Sequence, residues 1–93
     1  MIVQIVDNAV REGMEEEYVA AAQEFAADAS ANDAGCLGME IFGCAELPGH
    51  VFIVSRWEDR ASMEASTSFL RHKAKLKPAF LGNETTLLER IDV

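Results

Sequence analysis

The chain has 93 residues, of which 49% are hydrophobic and 26% charged, a composition typical of one globular domain spanning residues 1–93. The formal net charge of −8 argues against a nucleic-acid partner, because binding to phosphates needs clustered cations. No apolar run approaches the roughly 20 residues that a membrane-spanning helix needs. No secretory signal is visible, so we expect a cytoplasmic protein with no membrane partner.

The first part of the chain predicts a strand followed by a long helix. Residues 1–8 alternate in polarity and are rich in β-branched side chains, as expected for a strand. Over residues 14–31 apolar side chains recur every three or four positions, which predicts a helix with one buried stripe, formed by Met14, Tyr18, Ala21, Ala22, Phe25 and Ala29. Residues 32–35, Asn-Asp-Ala-Gly, tolerate the left-handed geometry that ends a helix.

A hairpin of two strands follows the helix. Residues 36–43 predict strand two, and a Pro-Gly turn at residues 47–50 leads into strand three at residues 50–57. We expect strand two to present three apolar side chains on one side, namely Leu37, Met39 and Ile41. Strand three is apolar on both faces, so both faces need to be covered. Trp57 ends this strand, and the sequence is compatible with its ring on either face.

The last third of the chain predicts a broken helix and a final strand. Asp59 is a natural N-cap for a helix that starts at the next residue. The Ser-Thr-Ser run at residues 66–68 predicts a break, after which a second short helix ends before Pro78. Gly-Asn at residues 82–83 indicates a turn, and residues 85–93 predict strand four.

This β-α-β-β-α-β order predicts an α+β, ferredoxin-like fold, in which a four-stranded antiparallel sheet has its helices on one face. The other face would be left uncovered, and exposed apolar surfaces of that size usually mark an interface or a ligand site. We therefore expect two sheets to pack face to face in a closed homodimer.

Few residues have a recognisable chemical role. Cys36 and Cys44 lack a nearby Cys or His pair, so we expect no metal site and treat both as packing residues. Half of the eight basic residues lie between residues 71 and 77, with His72 among them. That run is either a solvated helix face or a cationic rim that attracts an anionic or phenolate ligand.

Single polar or aromatic residues near an apolar space are the remaining candidates. Trp57 either packs the second helix on the sheet or forms a flat wall for an aromatic ligand. His72 is either a surface residue or, beside a pocket, a group that deprotonates a phenol. Asn8 either begins a turn or hydrogen-bonds a substrate oxygen, and Ser55 shares the parity of Ile53 as a candidate pocket group.

Two regions resemble a known family: Gly35-Cys36-Leu37, which opens strand two, and Phe52-Ile53-Val54 with Arg56-Trp57-Glu58-Asp59-Arg60, which closes strand three and enters a helix. In these segments the chain resembles the antibiotic biosynthesis monooxygenase family, including its small quinol monooxygenases. The resemblance implies a dimeric α/β barrel of two ferredoxin-like chains, with a pocket between the sheet and helices of each subunit. It also implies oxidation of phenols or quinols by O2 as co-substrate, with neither metal nor flavin.

The chain departs from the family pattern in its helical region. Many relatives carry a histidine about one short helix after the strand-three tryptophan, where this chain has Ser66, and another near residues 71–72. Heme-degrading relatives bind iron through a histidine further along, where this chain has Lys75-Leu76-Lys77. Heme is therefore disfavoured, and no cofactor is expected.

The resemblance leads us to expect a homodimeric monooxygenase acting on a small quinol or phenolic aromatic substrate. His72 is the candidate base, Arg71 would stabilise phenolate charge and Asn8 would orient an oxygen. The substrate-binding residues would be Trp57, Ser55, Ile53, Ser66 and Phe69. Two alternatives remain on the same fold: a non-catalytic ligand-binding or stress-associated homodimer, which the missing histidine at Ser66 favours, and an isomerase or degradative enzyme for a small metabolite.

Overall fold

The computed structural model describes residues 1–92, which form four strands and three helices. In chain order these are β1 (Ile2–Val10), α1 (Glu15–Asn32), β2 (Cys36–Gly43), β3 (His50–Trp57), α2 (Arg60–Ala65), α3 (Ser68–Leu76) and β4 (Phe80–Glu89). A single 3-10 turn, Lys77–Ala79, joins α3 to β4. The strands form one antiparallel sheet in the spatial order β2-β3-β1-β4. None of the helices in this part of the chain is long and apolar enough to span a membrane.

The predicted element order and the ferredoxin-like sheet are confirmed. The helical break also falls where the Ser-Thr-Ser run predicted it, between α2 and α3. Asp59 caps α2 as expected, because its Oδ1 accepts a hydrogen bond of 2.8 Å from the backbone N–H of Ser62. The apolar stripe of α1 is buried and forms the core together with side chains from β1 and β3, among them Val10, Val51 and Ile53.

Strand β4 is longer at its start and shorter at its end than the sequence predicts. It begins at Phe80, so Gly82 and Asn83 lie within the strand and the predicted turn there is wrong. The reason is pairing, because β1 extends to Val10 and its backbone groups find partners in β4 along that whole length. Residues 90–92 lie outside any strand, and Val93 lies outside the described residues.

The prediction that Leu37 shares the inward face of β2 is also wrong. The register between β2 and β3 shifts between Cys36 and Gly38, so Leu37 takes no paired position in the ladder. Its side chain is 54% exposed, whereas Met39 and Ile41 pack against the core as expected. A bulge of one residue thus places the Leu37 side chain on the opposite side from the one that simple alternation predicts.

Gly35 fits a place where no larger residue would. It has a φ of +80°, and a Cβ atom built there would lie 2.2 Å from Ser62 Oγ on α2. Its carbonyl oxygen accepts a 2.8 Å hydrogen bond from the backbone N–H of Glu58. The glycine therefore joins the start of β2 closely to the end of β3 and to α2.

The two faces of the sheet differ in what covers them. Along β3, Val51, Ile53, Ser55 and Trp57 are buried on the side of the helices. This settles the face of Trp57, which is 2% exposed and follows the parity of Ile53. The opposite face is uncovered in the single chain and carries apolar side chains from every strand: Val3, Ile5, Phe42, Phe52, Val54 and Leu88.

Helix α3 packs mainly on α1 and makes little contact with the sheet. Its N-terminus is fixed by the Asp33 carboxylate, which is 5% exposed. That carboxylate accepts hydrogen bonds from the hydroxyls of Ser66 and Ser68 and from the backbone N–H groups of Thr67 and Ser68. Burial acts to raise the pKa of Asp33, but these hydrogen bonds outweigh it and hold the pKa below its usual value of 3.8.

Replacing Asp33 by alanine should lower the free energy of unfolding by about 1–2 kcal/mol, because α3 loses its cap and two serine hydroxyls lose their acceptor. Urea denaturation at neutral pH measures the difference, with Glu12→Ala in an exposed turn as the matched control. Because the native pKa is lowered, the Asp33 contribution is complete above the unfolded pKa near 3.8 and is lost as pH falls through the native value. Equal stability of the two variants would contradict the capping role.

Candidate active site

The space between α3 and the sheet is a cleft made of two adjoining cavities. The larger cavity has a volume of about 400 Å³ and the smaller about 310 Å³. Volumes of this size suit a small organic ligand. Residues that line both cavities define the junction of the cleft, and they are Asn8, Tyr18, Phe69, Leu76 and Asn83.

The larger cavity extends from the junction toward α2. Its walls are mostly apolar or aromatic and include Val6, Phe25, Met39, Ile53, Trp57 and Met63. Polar side chains also line this cavity and are dispersed over several elements: Gln4, Ser55, Glu64, Ser66 and Thr85. The smaller cavity extends the other way and adds Lys73, Lys77 and Phe80.

A short chain of hydrogen bonds holds the tryptophan at the inner end of the larger cavity. Trp57 Nε1 donates to Ser55 Oγ over 2.9 Å, and Ser55 Oγ donates to Gln4 Oε1 over 3.5 Å. Ser55 and Trp57 are both almost fully buried. The indole is therefore oriented by groups that belong to β1 and β3, and its N–H is satisfied within the protein.

Two asparagines face the junction from neighbouring strands. Asn8 on β1 and Asn83 on β4 are direct partners in the strand pairing, with both side chains on the side of the helices. Asn8 Nδ2 donates to the carbonyl oxygens of Val6 and Val51 over 3.2 and 3.1 Å, so Oδ1 is left as an acceptor. Within residues 1–92 the carboxamide of Asn83 forms no hydrogen bond with another side chain or the backbone.

Tyr18 brings a hydroxyl to the same junction from α1. The residue is buried, yet its hydroxyl has no hydrogen-bond partner in the described part of the chain and its side chain lines both cavities. Burial raises the pKa of Tyr18 from 10.0 to about 12. Tyr18 therefore stays a neutral hydrogen-bond donor across the physiological pH range.

The structure brings six of the eight residues proposed from the sequence to the cleft. Asn8 lies at the junction, and the five proposed substrate-binding residues all line the larger cavity: Ile53, Ser55, Trp57, Ser66 and Phe69. Ser66 also donates to the Asp33 carboxylate, so its hydroxyl serves the cap of α3 as well as the cavity wall.

Arg71 and His72 are the two proposed residues that line neither cavity. Both pair with Asp28 on α1: Arg71 Nε lies 2.8 Å and His72 Nε2 lies 2.7 Å from Asp28 Oδ2. The Arg71 guanidinium, then Asn32 and His72, hold the pKa of Asp28 well below its usual value. The other ring nitrogen of His72 is buried without a hydrogen-bond partner in the described chain.

Sequence reasoning missed the polar groups that the sheet and α1 bring to the junction. Asn83 follows a glycine, and that pair resembles a turn unless the length of β1 is known. Tyr18 lies on the buried stripe of α1, where a core role is the usual expectation, and here it serves both core and cavity. Gln4 was not singled out, although its parity with Val6 on β1 could have indicated the inward face.

The cysteines lie apart from any metal-binding arrangement. Cys36 packs against the core, and burial is the main cause of the raised pKa of its thiol. The thiol of Cys44 donates to Glu46 Oε2 over 3.4 Å. Within residues 1–92 no group of three His, Cys, Asp or Glu side chains could hold a metal ion.

A sequence profile of the antibiotic biosynthesis monooxygenase family matches residues 1–75, a range that includes β1 to β3 and most of α3. The chain belongs to this family. The resemblance proposed from the segments around Gly35 and Trp57 is thereby confirmed. No curated protein matches the chain.

Solved structures share the fold of this family member along nearly its whole length. An antibiotic biosynthesis monooxygenase structure is 18% identical, with a TM-score of 0.82 over 99% of this chain and 100% of that one. Rv0793 from Mycobacterium tuberculosis is 16% identical, with a TM-score of 0.81 over 99% and 96%. A conserved protein from Methanosarcina mazei Go1 is also 16% identical, with a TM-score of 0.80 over 98% and 94%. Identities this low indicate a common fold only.

Ultraviolet titration can test the position of Tyr18, because it is the only tyrosine in this antibiotic biosynthesis monooxygenase family member. We expect the phenolate to form near pH 12 in the folded chain and near 10.0 in urea, since burial disfavours the charged form. Its contribution to stability is complete below the unfolded pKa of 10.0 and is lost as pH rises toward about 12. Circular dichroism at each pH separates ionisation from unfolding. A folded-state pKa near 10 would contradict the burial of the Tyr18 side chain.

Proposed function

We propose that this chain is a monooxygenase that oxidises a small phenol or quinol with O2 and needs no tightly bound cofactor. The observation that supports this most is the junction, where three polar side chains meet beside the aromatic and apolar walls of the cleft: Asn8, Tyr18 and Asn83. Family membership supports the reaction class. The choice of an aromatic substrate follows from the aromatic lining and the volume of the cleft.

An aromatic ring fits the larger cavity because flat, apolar side chains border it. Phe25 and Phe69 meet edge to face with ring centroids 5.9 Å apart, and Trp57 lies on the same cavity lining. Such rings prefer offset or edge contacts with a further aromatic group. The aromatic and apolar walls lower the local polarity around a bound ring, which strengthens the hydrogen bonds made to the ligand.

The reaction needs no cofactor because the substrate itself reduces oxygen. A phenol that loses its hydroxyl proton to water in the solvent-open cleft becomes an electron-rich phenolate, which donates one electron to O2. Recombination of the two radicals forms a carbon–oxygen bond at an unsubstituted ring carbon, and cleavage of the O–O bond then releases water. The ring C–H and the phenol O–H supply the two hydrogens of that water, so phenol plus O2 gives quinone plus water.

The junction residues would bind the oxygen on which negative charge develops. Tyr18 and Asn83 have donors for a phenolate oxygen, and Tyr18 remains protonated because its pKa is raised to about 12. Asn8 Oδ1 would accept a hydrogen bond from a second hydroxyl of a quinol. The two asparagines lie on paired strands of the sheet, so their separation is fixed before a substrate binds.

Oxygen consumption with a panel of hydroquinones and polycyclic phenols tests this proposal. With isotopically labelled O2, mass spectrometry should find one labelled atom in the quinone product and the other in water. Tyr18→Phe should lower kcat/KM by roughly 10- to 100-fold, because it removes a hydrogen bond to a charged oxygen. Absence of turnover with every substrate, or hydrogen peroxide with an unlabelled product, would contradict a monooxygenase.

His72→Ala is the companion variant, since His72 was the base proposed from the sequence. Its ring pairs with Asp28 and lines neither cavity, so we expect less than about threefold loss of kcat/KM. A loss as large as that of Tyr18→Phe would support the sequence-based assignment of His72 as the base. Thermal melts of both variants provide the control for folding.

We further propose that the chain forms a homodimer through the uncovered sheet face. Apolar side chains extend across this face, from Ile5 on β1 and Val54 on β3 to Phe42 on the edge strand β2, which lies next to Phe52. Several of its polar groups have partners within the chain, since Asp7 meets His50 at 2.7 Å and Arg56 bonds to Glu40. A second copy of the same face offers a matching apolar surface, which suits a two-fold interface.

Sedimentation equilibrium should therefore give twice the mass of one chain. Phe42→Glu should shift the mass to that of one chain, because it places a charge in the proposed interface on a side chain that is 46% exposed in the single subunit. Leu70→Glu is the matched control on the exposed surface of α3 and should leave the mass unchanged. A wild-type mass of one chain would refute the dimer.

A further inference from the structure

We propose that the cleft binds an aromatic ligand that carries an acidic group, and that Lys73 and Lys77 bind this group at the open end of the smaller cavity. This inference names the substrate class of the same site, and for turnover it rests on the proposed function. The binding of such a ligand does not depend on oxidation and can be measured alone.

The basic run of residues 71–77 divides into two sets in the folded chain. Three members face α1 and pair with its acids: Arg71 and His72 with Asp28, and Lys75 with Glu24 at 2.8 Å. The other two members, Lys73 and Lys77, line the smaller cavity and form no ion pair within residues 1–92. Only these two cations are therefore placed to meet a ligand in the cleft.

The two unpaired lysines lie one helical turn apart. Lys73 is in the last turn of α3, and Lys77 is the C-cap of that helix with a helical φ of −54° and ψ of −43°. Residues at this spacing are neighbours, so Lys73 and Lys77 offer two ammonium groups to one ligand. Between them Leu76 turns to the same cavity, and Phe80 continues its apolar surface into β4. An amphipathic ligand with one apolar ring and one anionic end complements this arrangement.

The charged side chains at the two ends of the cleft also determine which way round the ligand binds. Glu64 lines the larger cavity beside α2, whereas the two lysines line the smaller cavity. An acidic group is repelled at the Glu64 end and attracted at the lysine end. The aromatic ring then lies toward Trp57, and the junction lies between the ring and the acidic group. In a chain of net charge −8 this local positive potential is a property of the cleft rather than of the whole surface.

Lysines near a helix C-terminus also stabilise the helix dipole, which would explain their presence without a ligand. Lys75 shares that location in the last turn of α3 but pairs with Glu24 and lines neither cavity. It is therefore the matched control, since a dipole role predicts equal effects for Lys75 and Lys73. A ligand-binding role predicts an effect for Lys73 and Lys77 alone.

Isothermal titration calorimetry with naphthoate and naphthamide tests the proposal. The two probes share one bicyclic ring system and differ only in the charge of the substituent. We expect naphthoate to bind roughly tenfold more tightly than naphthamide at low salt, as two partly exposed ion pairs would supply. Raising the ionic strength from about 0.01 M to about 0.5 M should weaken naphthoate binding and leave naphthamide nearly unchanged.

The double variant Lys73→Gln with Lys77→Gln should abolish the preference for naphthoate and leave the Kd of naphthamide unchanged. Lys75→Gln should keep the preference, and replacing both cavity lysines by arginine should restore it. Circular dichroism confirms that each variant is folded. Equal Kd values for the two probes in the wild type, no binding of naphthoate, or an equal loss in Lys75→Gln would overturn the proposal.

Failure of the proposed function gives a different result from failure of this inference. A chain that binds naphthoate through the two lysines but consumes no oxygen with any phenol refutes the monooxygenase and supports the anionic ligand. A chain that turns over neutral and acidic phenols with equal kcat/KM, and does not discriminate between the two probes, refutes the anionic ligand and supports the monooxygenase.

Discussion

The cleft depends on the attachment of α3 to another helix instead of the sheet. Acidic side chains from the second half of α1 and from its C-cap bind α3 at three levels: Glu24 to Lys75, Asp28 to Arg71 and His72, and Asp33 to the helix N-terminus. Because α3 is fixed in this way, it need not bury a broad apolar face on the sheet. The space that such packing would have filled remains as the two cavities.

This arrangement assigns different tasks to the two walls of the cleft. The sheet supplies side chains whose positions are fixed by strand pairing, including Asn8 opposite Asn83 and the Trp57–Ser55 hydrogen bond. The helices supply the opposite wall, which is held in place by ion pairs and hydrogen bonds between α1 and α3. Under the proposed function the sheet and α1 together position a ligand oxygen, through Asn83 and Tyr18, while the width of the cleft depends on the contacts between α1 and α3.

Most of the fold and much of the cleft could be predicted from the sequence, because local rules govern those parts. Alternation along β3 placed Ile53, Ser55 and Trp57 on one face, although only the structure showed that this face is the one toward the helices. Local rules failed where a neighbouring element decides the outcome. A one-residue bulge in β2 leaves Leu37 exposed. Because β1 is long, Asn83 pairs with it and belongs to a strand instead of a turn.

The helical residues were harder to place for a related reason. Periodicity tells which residues share a face of a helix but not which face meets a given neighbour. On α3, Arg71 and Lys73 are two positions apart and point in different directions, one to Asp28 and one to the cleft.

The position of the only tryptophan has a further consequence. Because Trp57 is buried, lines the cavity and donates its N–H to Ser55, the tryptophan fluorescence of this chain is sensitive to polarity and hydration inside the cleft.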